Sequence, residues 1–420
     1  MNVRFYNGKI LTMADGVEVL EGCELHTHGS IISYVGEPLK DDTTKFDKEI
    51  DLEGNLLMPS FKDAHTHSPM TCLRSYADDL PLKQWLYEKV FPLEATLTHQ
   101  QVYWYTKLAM LEYLSSGISA CFDMYVMPEE VSRASLDIGF RTVFCGTVNN
   151  FKDSVEALED YYLKYNNTDE LLSYQLGFHA EYTTSLNIMQ GIAELSDRYK
   201  APVYMHSSET KKEVTDCIER YGKTPTQLFK DIGLFEHGGG GFHCVYMSET
   251  GLNIFKDMGL WVVTNPSSNL KLASGIAPIT EMLNKGVNIA IGTDGPASNN
   301  ALDFFREMFL VTALQKYKTK DASSCSAEEV LKMATVNGAR AMHLESIDTL
   351  QVGKVADIIV IDLNQPNMRP IYNVPKNLVY SGSKTNVKLT MVNGNILYQD
   401  GKYLTVDANE VYSMCEKLKF

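Results

Sequence analysis

The chain has 420 residues, a formal charge of −15 and 44% hydrophobic residues. That length accommodates one large core plus a small one. The acid excess argues against a nucleic-acid backbone or an anionic membrane as partner, because both demand a positive footprint.

The N-terminus has no apolar signal core, and no apolar run approaches the roughly 18 residues of a membrane span. A cytoplasmic protein with no membrane partner is expected. Eight cysteines are scattered without a Cys-x-x-Cys pair. They read as small buried hydrophobes in a reducing compartment.

Residues 1 to about 56 read as short strands at 3–6, 9–13, 18–28 and 31–35, then a charged strip ending near Glu53-Gly54. His26-Thr27-His28 falls here, in a short alternating stretch with a turn signal behind it. It reads as solvent-facing strand residues without a metal role.

From about residue 57, apolar strands alternate with longer amphipathic segments. Eight candidate strands end near His65, Tyr125, Thr147, His179, His206, His243, Asn265 and Asp294. Helical patterns between them include 99–114, 128–136, 154–165, 187–199, 249–258, 279–285 and 301–315. Eight strand–helix units predict an α/β fold, a (β/α)8 barrel of the usual span of about 250 residues.

Gly238-Gly239-Gly240-Gly241 lacks the Gly-Lys-Ser/Thr and following helix of a phosphate loop, and reads as a flexible lead-in to the sixth strand. A helix is expected over 327–342, then strands at 358–361, 388–392 and 395–398, with Asn393-Gly394 as a hairpin turn. The residues from about Asp407 look helical. The expected division is a catalytic barrel at 57–345 and a small β-sandwich built from both chain ends, 1–56 and 346–420, with a C-terminal helix.

The chemistry concentrates at the predicted strand ends, which face the active site in such a barrel. In Asp63-Ala64-His65-Thr66-His67 two histidines at i and i+2 of a strand point the same way and can share one ion. His206 closes the fifth strand, His243 the sixth and Asp294 the eighth. Any one of these histidines alone reads as an ordinary polar residue, but donors at several equivalent strand ends point to a metal. Three imidazoles and a carboxylate suit Zn²⁺ with a position left for water. The fourth strand ends in His179 rather than lysine, so a bridging carboxylated lysine cannot form there, and one divalent ion is expected. Zn²⁺ comes first, with Fe²⁺ or Mn²⁺ as alternatives.

Several stretches carry a family resemblance: Asp63-Ala64-His65-Thr66-His67-Ser68-Pro69-Met70, Ala77-Asp78-Asp79-Leu80, and Trp85-Leu86 through Pro92-Leu93-Glu94. Others are His206-Ser207-Ser208-Glu209-Thr210, Phe242-His243-Cys244-Val245, Asn265-Pro266-Ser267-Ser268-Asn269-Leu270-Lys271-Leu272 and Gly292-Thr293-Asp294-Gly295-Pro296-Ala297-Ser298-Asn299-Asn300. In these the chain resembles the amidohydrolase superfamily, and within it the S-adenosylhomocysteine/5′-methylthioadenosine deaminase group, over nearly its whole length.

The resemblance implies that His65, His67, His206 and Asp294 hold the metal. It implies that His243 hydrogen-bonds the attacking hydroxide or the forming tetrahedral centre, and that Glu209 moves protons. Glu94 resembles a ribose-binding glutamate, His179 a substrate-contacting histidine, and Trp85 lines the pocket. Chemistry supports these roles independently. Asp294 can accept a proton from the nucleophilic water, and Glu209 can protonate a ring nitrogen and help ammonia leave.

The implied reaction is hydrolytic deamination of a small-molecule adenosine-type nucleoside to its inosine analogue. Candidate substrates are 5′-methylthioadenosine, S-adenosylhomocysteine, 5′-deoxyadenosine and adenosine. Where some members of the group carry an arginine at the tip of strand three, Phe144-Cys145-Gly146-Thr147 has no cation. A carboxylate clamp needs one, which favours the neutral substrates unless another loop supplies the charge. Two alternatives remain open: deamination or dechlorination of a free purine, pterin, pyrimidine or triazine ring, and a non-catalytic scaffold of the same fold. Association into a homo-oligomer is compatible with either.

Overall fold

Eight parallel strands follow one another in chain order around a barrel: Phe61–Thr66, Ile118–Asp123, Arg141–Cys145, Leu172–Ala180, Val203–Ser207, Gly239–His243, Trp261–Thr264 and Asn288–Ile291. They are buried along almost their whole length because helices cover the outer face while side chains fill the inner one. Ala64, Ala120, Phe122, Tyr204, Phe242 and Ala290 share the inner core, small residues beside large ones. The computed structural model describes residues 1–40 and 43–420; Asp41 and Asp42, within the charged strip, lie outside the described residues.

The seam between the eighth and first strands is closed by Asp294 N–H donating to the His65 carbonyl at 2.9 Å. Beside it, the Asp63 carboxylate accepts the Thr293 N–H at 2.8 Å and the Thr293 hydroxyl at 2.5 Å.

The glycine run corrects one expectation. Gly239–His243 is the sixth barrel strand itself, not a flexible approach to it. A Cβ on Gly239 would lie 2.0 Å from the Val203 carbonyl oxygen, and one on Gly240 2.1 Å from that of Trp261. The glycines are there because neighbouring backbones leave no room for a side chain.

Two further sheets use both ends of the chain. A four-stranded sheet contains Ile31–Gly36, Glu24–His28, Val3–Tyr6 and Lys48–Asp51. A seven-stranded sheet runs through Lys402–Tyr403, Asn395–Gln399, Val387–Val392, Ile358–Ile361, Leu56–Pro59, Lys9–Leu11 and Val19–Glu21. The second sheet is covered on both faces. Leu57, Ile358 and Val360 pack with Val3, Phe5 and Leu25 of the first sheet. Leu56, Met58, Ile359 and Ile361 turn the other way into the barrel's core. That two-sided burial is why Ile358–Ile361 has no polar alternation.

His26 is a second correction. It is only 4% exposed, its Nε2 lies 2.9 Å from Glu24 Oε1, and its ring packs against Tyr34 and Phe46. An acid two residues away on the same strand face and two aromatics from elsewhere bury it, whereas His28 is exposed.

The helix expected over 327–342 is present in three pieces, Ala327–Lys332, a π-turn at Met333–Asn337, and Gly338–Ala341. Helices at Lys211–Tyr221, Pro225–Asp231, Pro266–Lys271 and Val374–Tyr380 add to those expected. Among the described residues no helix is long and apolar enough to cross a membrane, and all eight cysteines are free.

Candidate metal centre

Every predicted donor lies at the C-terminal end of a barrel strand. His65 is in strand one and His67 just beyond it, His206 is in strand five, His243 ends strand six, and Asp294 follows strand eight. The chain turns sharply at these points. Ser208 (φ 54°), His243 (φ 70°) and Asp294 (φ 59°) adopt left-handed backbone, which non-glycine residues rarely use outside constrained sites.

Asp294 is the hub. Its Oδ1 is 3.1 Å from His67 Nε2 and 3.6 Å from His65 Nε2, and its Oδ2 is 4.0 Å from His243 Nε2. The Gly295 N–H donates to Oδ1 at 2.8 Å, and the Ser268 and Ser298 hydroxyls donate to Oδ2 at 2.5 and 2.9 Å. Ligand atoms of His65, His206, His243 and Asp294 all fall within 4.8 Å of one another, a buried group able to hold a metal ion. That quartet contains His243, while His67 touches the same aspartate from the strand-one side.

Neighbouring groups fix the imidazole tautomers. His67 Nδ1–H donates to the Met124 carbonyl at 2.6 Å, His206 Nδ1–H to the His179 carbonyl at 2.7 Å, and His243 Nδ1–H to Asn269 Oδ1 at 2.7 Å. Each bond leaves Nε2 as the metal-facing or water-facing nitrogen. His65 has no such partner. It is fully buried, stacked 3.8 Å from the Phe242 ring, and neither of its nitrogens is hydrogen-bonded. A buried polar atom left this way is costly, and a cation at Nε2 relieves that cost.

The electrostatics favour coordination at His65, His206 and Asp294, while His67 is held as the cationic partner of Asp294. Burial, reinforced by neighbouring imidazoles, holds His65 and His206 well below the ordinary histidine range, so both carry free lone pairs. Burial also lowers His67, but the hydrogen bond and charge of Asp294, with help from Met124 and Asp123, outweigh it and carry His67 up to about 9. Burial pushes Asp294 upward, yet the surrounding histidines hold it well below the usual carboxylate range. A negative charge ringed by imidazoles is suited to a divalent cation.

A cavity of about 530 Å³ opens above these residues. His67, Trp85, Glu94, His179, His206, Glu209, His243 and Asp294 all line it, and His65 lies beneath. Trp85 and Glu94 come from one irregular helical segment, Leu82–Gln84, the π-turn Trp85–Val90 and Phe91–Glu94. Burial raises the Glu94 carboxyl, an effect opposed by the charge of Lys152. Burial lowers His179 to about 3. The Thr183 hydroxyl donates to the Ala180 carbonyl at 3.1 Å and lies 2.8 Å from His179 Nδ1. It therefore accepts from Nδ1–H, leaving Nε2 as an acceptor.

Two features had no sequence signal. Lys152, on the loop after strand three, lines the cavity, near a strand tip that has no cation of its own. Ser274 donates to Glu209 Oε1 at 2.9 Å. Asn269 and Ser268 sit in a motif visible in the sequence, but their partners are far away in it.

A parallel barrel with such a centre at its strand ends defines a barrel protein with a buried metal-binding site. The chain belongs to the amidohydrolase family, whose sequence model matches residues 56–397. It is 40% identical to a 5-methylthioadenosine/S-adenosylhomocysteine deaminase of Caldanaerobacter subterraneus subsp. tengcongensis, covering 99% of this chain and 98% of that protein. A protein of the same description from Thermoanaerobacter pseudethanolicus is 37% identical, with 99% and 98% covered. A crystal structure of an adenosine deaminase from Xanthomonas campestris with bound zinc superimposes with a TM-score of 0.94 at 29% identity, covering 99% of this chain and 97% of that one.

Proposed function

We propose that this protein is a metal-dependent deaminase that hydrolyses an adenosine-type nucleoside to its inosine analogue and ammonia. One observation carries the reading: His67, His206, His243, Asp294, Glu209 and Glu94 all border a single cavity of about 530 Å³, with the fourth imidazole of the donor cluster, His65, within 4.8 Å of its partners. The names of the relatives and the zinc in the Xanthomonas structure support it.

In this reading His65, His67, His206 and Asp294 hold one divalent ion, Zn²⁺ first and Fe²⁺ or Mn²⁺ as alternatives. Ligands on a tetrahedral zinc stand about 3.3 Å apart. The 3.1 and 3.6 Å separations of His67 and His65 from Asp294 suit that spacing better than the 4.0 Å of His243. When bound, the metal supplies Lewis acidity and a water activated near neutral pH.

The remaining steps belong to side chains. Asp294, held by Gly295, Ser268 and Ser298, accepts a proton from the attacking water. His243, oriented by Asn269, accepts a hydrogen bond from it at Nε2. Glu209 delivers a proton to the ring nitrogen beside the attacked carbon, then assists the amine in leaving as ammonia. The C–O bond to the water oxygen forms first and makes the carbon tetrahedral; the proton taken by Asp294 then passes to the amine, and the C–N bond breaks as ammonia leaves.

Glu94 accepts the ribose hydroxyls, His179 offers its Nε2 acceptor, and Trp85 forms an apolar wall. Lys152 pairs with an anionic 5′ substituent, which keeps S-adenosylhomocysteine among the substrates beside 5′-methylthioadenosine, 5′-deoxyadenosine and adenosine. A cytoplasmic location belongs to the same reading, supported by the free thiols.

The test is an ammonia-release screen of these nucleosides against free purine, pyrimidine, pterin and triazine rings. Turnover of nucleosides is expected; faster turnover of free rings overturns the assignment. Glu209→Gln is expected to keep the metal and lose orders of magnitude in kcat. His67→Ala is expected to lose both metal and activity, and tight metal retention would contradict its role as a ligand.

A further inference from the structure

A second buried glutamate stands behind Glu209. Glu213 is 5% exposed and does not line the cavity. Its Oε1 accepts the Ser208 N–H at 2.6 Å and its Oε2 accepts the Glu209 N–H at 2.8 Å. Ser208 is left-handed (φ 54°), and such a residue turns consecutive N–H groups toward one side as an anion-binding nest. The Glu213 carboxylate fills that nest.

Helix capping alone does not account for the arrangement. Thr210 caps the helix Lys211–Tyr221 by accepting the Glu213 N–H at 3.1 Å. In an ordinary capping box the glutamate at this position returns to the cap residue's own N–H. Here the Thr210 N–H also acts on the Glu213 carboxyl, but the two short bonds, at 2.6 and 2.8 Å, go further back, to the turn that carries Glu209. The choice is also electrostatically unfavourable. Burial, together with the nearby charge of Glu209, pushes the Glu213 carboxyl up to about 8. The residue stands where its two oxygens meet two backbone amides, a match that a side-chain amide with a single oxygen does not give.

We infer that Glu213 is a positioning residue for the reaction: by gripping the backbone of Ser208 and Glu209 it aims the Glu209 carboxyl at the substrate ring. Ser274 holds the far end of the same side chain. Glu209 is thus fixed at its backbone from one side of the loop and at its carboxyl from the other. The inference rests on the proton-transfer role proposed above for Glu209.

The test is a double-mutant cycle on the metal-loaded enzyme with 5′-methylthioadenosine as substrate. In Glu213→Gln an NH2 replaces one acceptor and meets an N–H head-on. Displacing a catalytic group by about 1 Å costs on the order of 100-fold, so kcat is expected to fall about 10- to 100-fold. KM is expected to move less than about threefold, and metal content not at all. Added to Glu209→Gln, measured by long incubation at high enzyme concentration, Glu213→Gln is expected to cost less than about twofold more, because the two act through one group.

An equal loss in both backgrounds, or a raised KM with unchanged kcat, overturns the inference. Should Glu213→Gln fail to fold, Glu213→Asp keeps the charge but is one methylene too short to span both amides. It is expected to show the same kcat loss, and wild-type kcat there overturns the inference. Wild-type kcat in Glu209→Gln removes the proton role itself. A loss in Glu209→Gln with wild-type kcat in Glu213→Gln overturns only the positioning role.

Discussion

The Asp63 carboxylate takes two hydrogen bonds from Thr293, one from its N–H at 2.8 Å and one from its hydroxyl at 2.5 Å. Asp63 stands two residues before His65, and Thr293 immediately precedes Asp294. The pair therefore sets the register of the seam across which the two candidate ligands meet. Asp63→Asn turns one acceptor into a donor facing a donor. A loss of about 1–3 kcal/mol is expected, with weaker metal retention. Urea midpoints and metal per chain after chelator dialysis measure both, and wild-type values for the two together would show that the seam does not depend on this contact.

Lys152 and Glu94 offer a selectivity test. A charge-assisted hydrogen bond contributes about 1.5–3 kcal/mol, so Lys152→Met should lower kcat/KM for S-adenosylhomocysteine roughly 10- to 100-fold. With 5′-methylthioadenosine it should change little. Glu94→Ala should weaken both nucleosides, since both carry a ribose. Equal losses on the two substrates in Lys152→Met would remove its role in reading the 5′ substituent.

Lys62 links stability to pH. Its ammonium, fully buried at the base of the barrel, donates to the Ser60 carbonyl and hydroxyl, each at 2.8 Å. Burial lowers its pKa from 10.5 to about 8, against the opposing charge of Asp357. Between about 8 and 10.5 the unfolded chain binds the proton and the folded chain has released it. Stability contributed at this site therefore rises with pH through that window, and below it the buried charge is a penalty of roughly 3 kcal/mol. Lys62→Met should be the more stable form at pH 7, and its advantage should shrink toward pH 10. Parallel urea curves for the two proteins, unchanged in spacing from pH 7 to 10, would exclude the linkage.

Gly240→Ala should be far more damaging than a glycine substitution in open space. The new methyl would sit 2.1 Å from the Trp261 carbonyl oxygen, between two strands of the barrel. Gly222→Ala, whose Cβ meets nothing within 4 Å, is strained only by its φ of +70° and should cost about 1–2 kcal/mol. Soluble yield and thermal midpoint would compare them. A mild effect at Gly240 would mean that strands six and seven can spread apart.

Much of this architecture was legible in the chain because its signals are local. An apolar run closed by histidine or aspartate marks a barrel strand and its functional end together, which is how His65, His206, His243 and Asp294 stand out. What escaped depends on distant backbone. The glycine run looks flexible until Val203 and Trp261 are known to flank it, and His26 looks exposed until Phe46 folds over it. Lys152 sits in a loop with no periodicity to place it, so only the folded cavity brings it toward Glu94.

Strand Ile358–Ile361 carries a consequence for how the molecule is made. Its neighbour on one side is Leu56–Pro59, translated long before it. Those early strands emerge from the ribosome with their central partner not yet synthesised, and the barrel's first strand, Phe61–Thr66, follows directly behind them. The four-stranded sheet of residues 3–51 has all its partners at hand early, but the seven-stranded sheet stays split, its early and late halves unjoined, until residues 358–361 have been made.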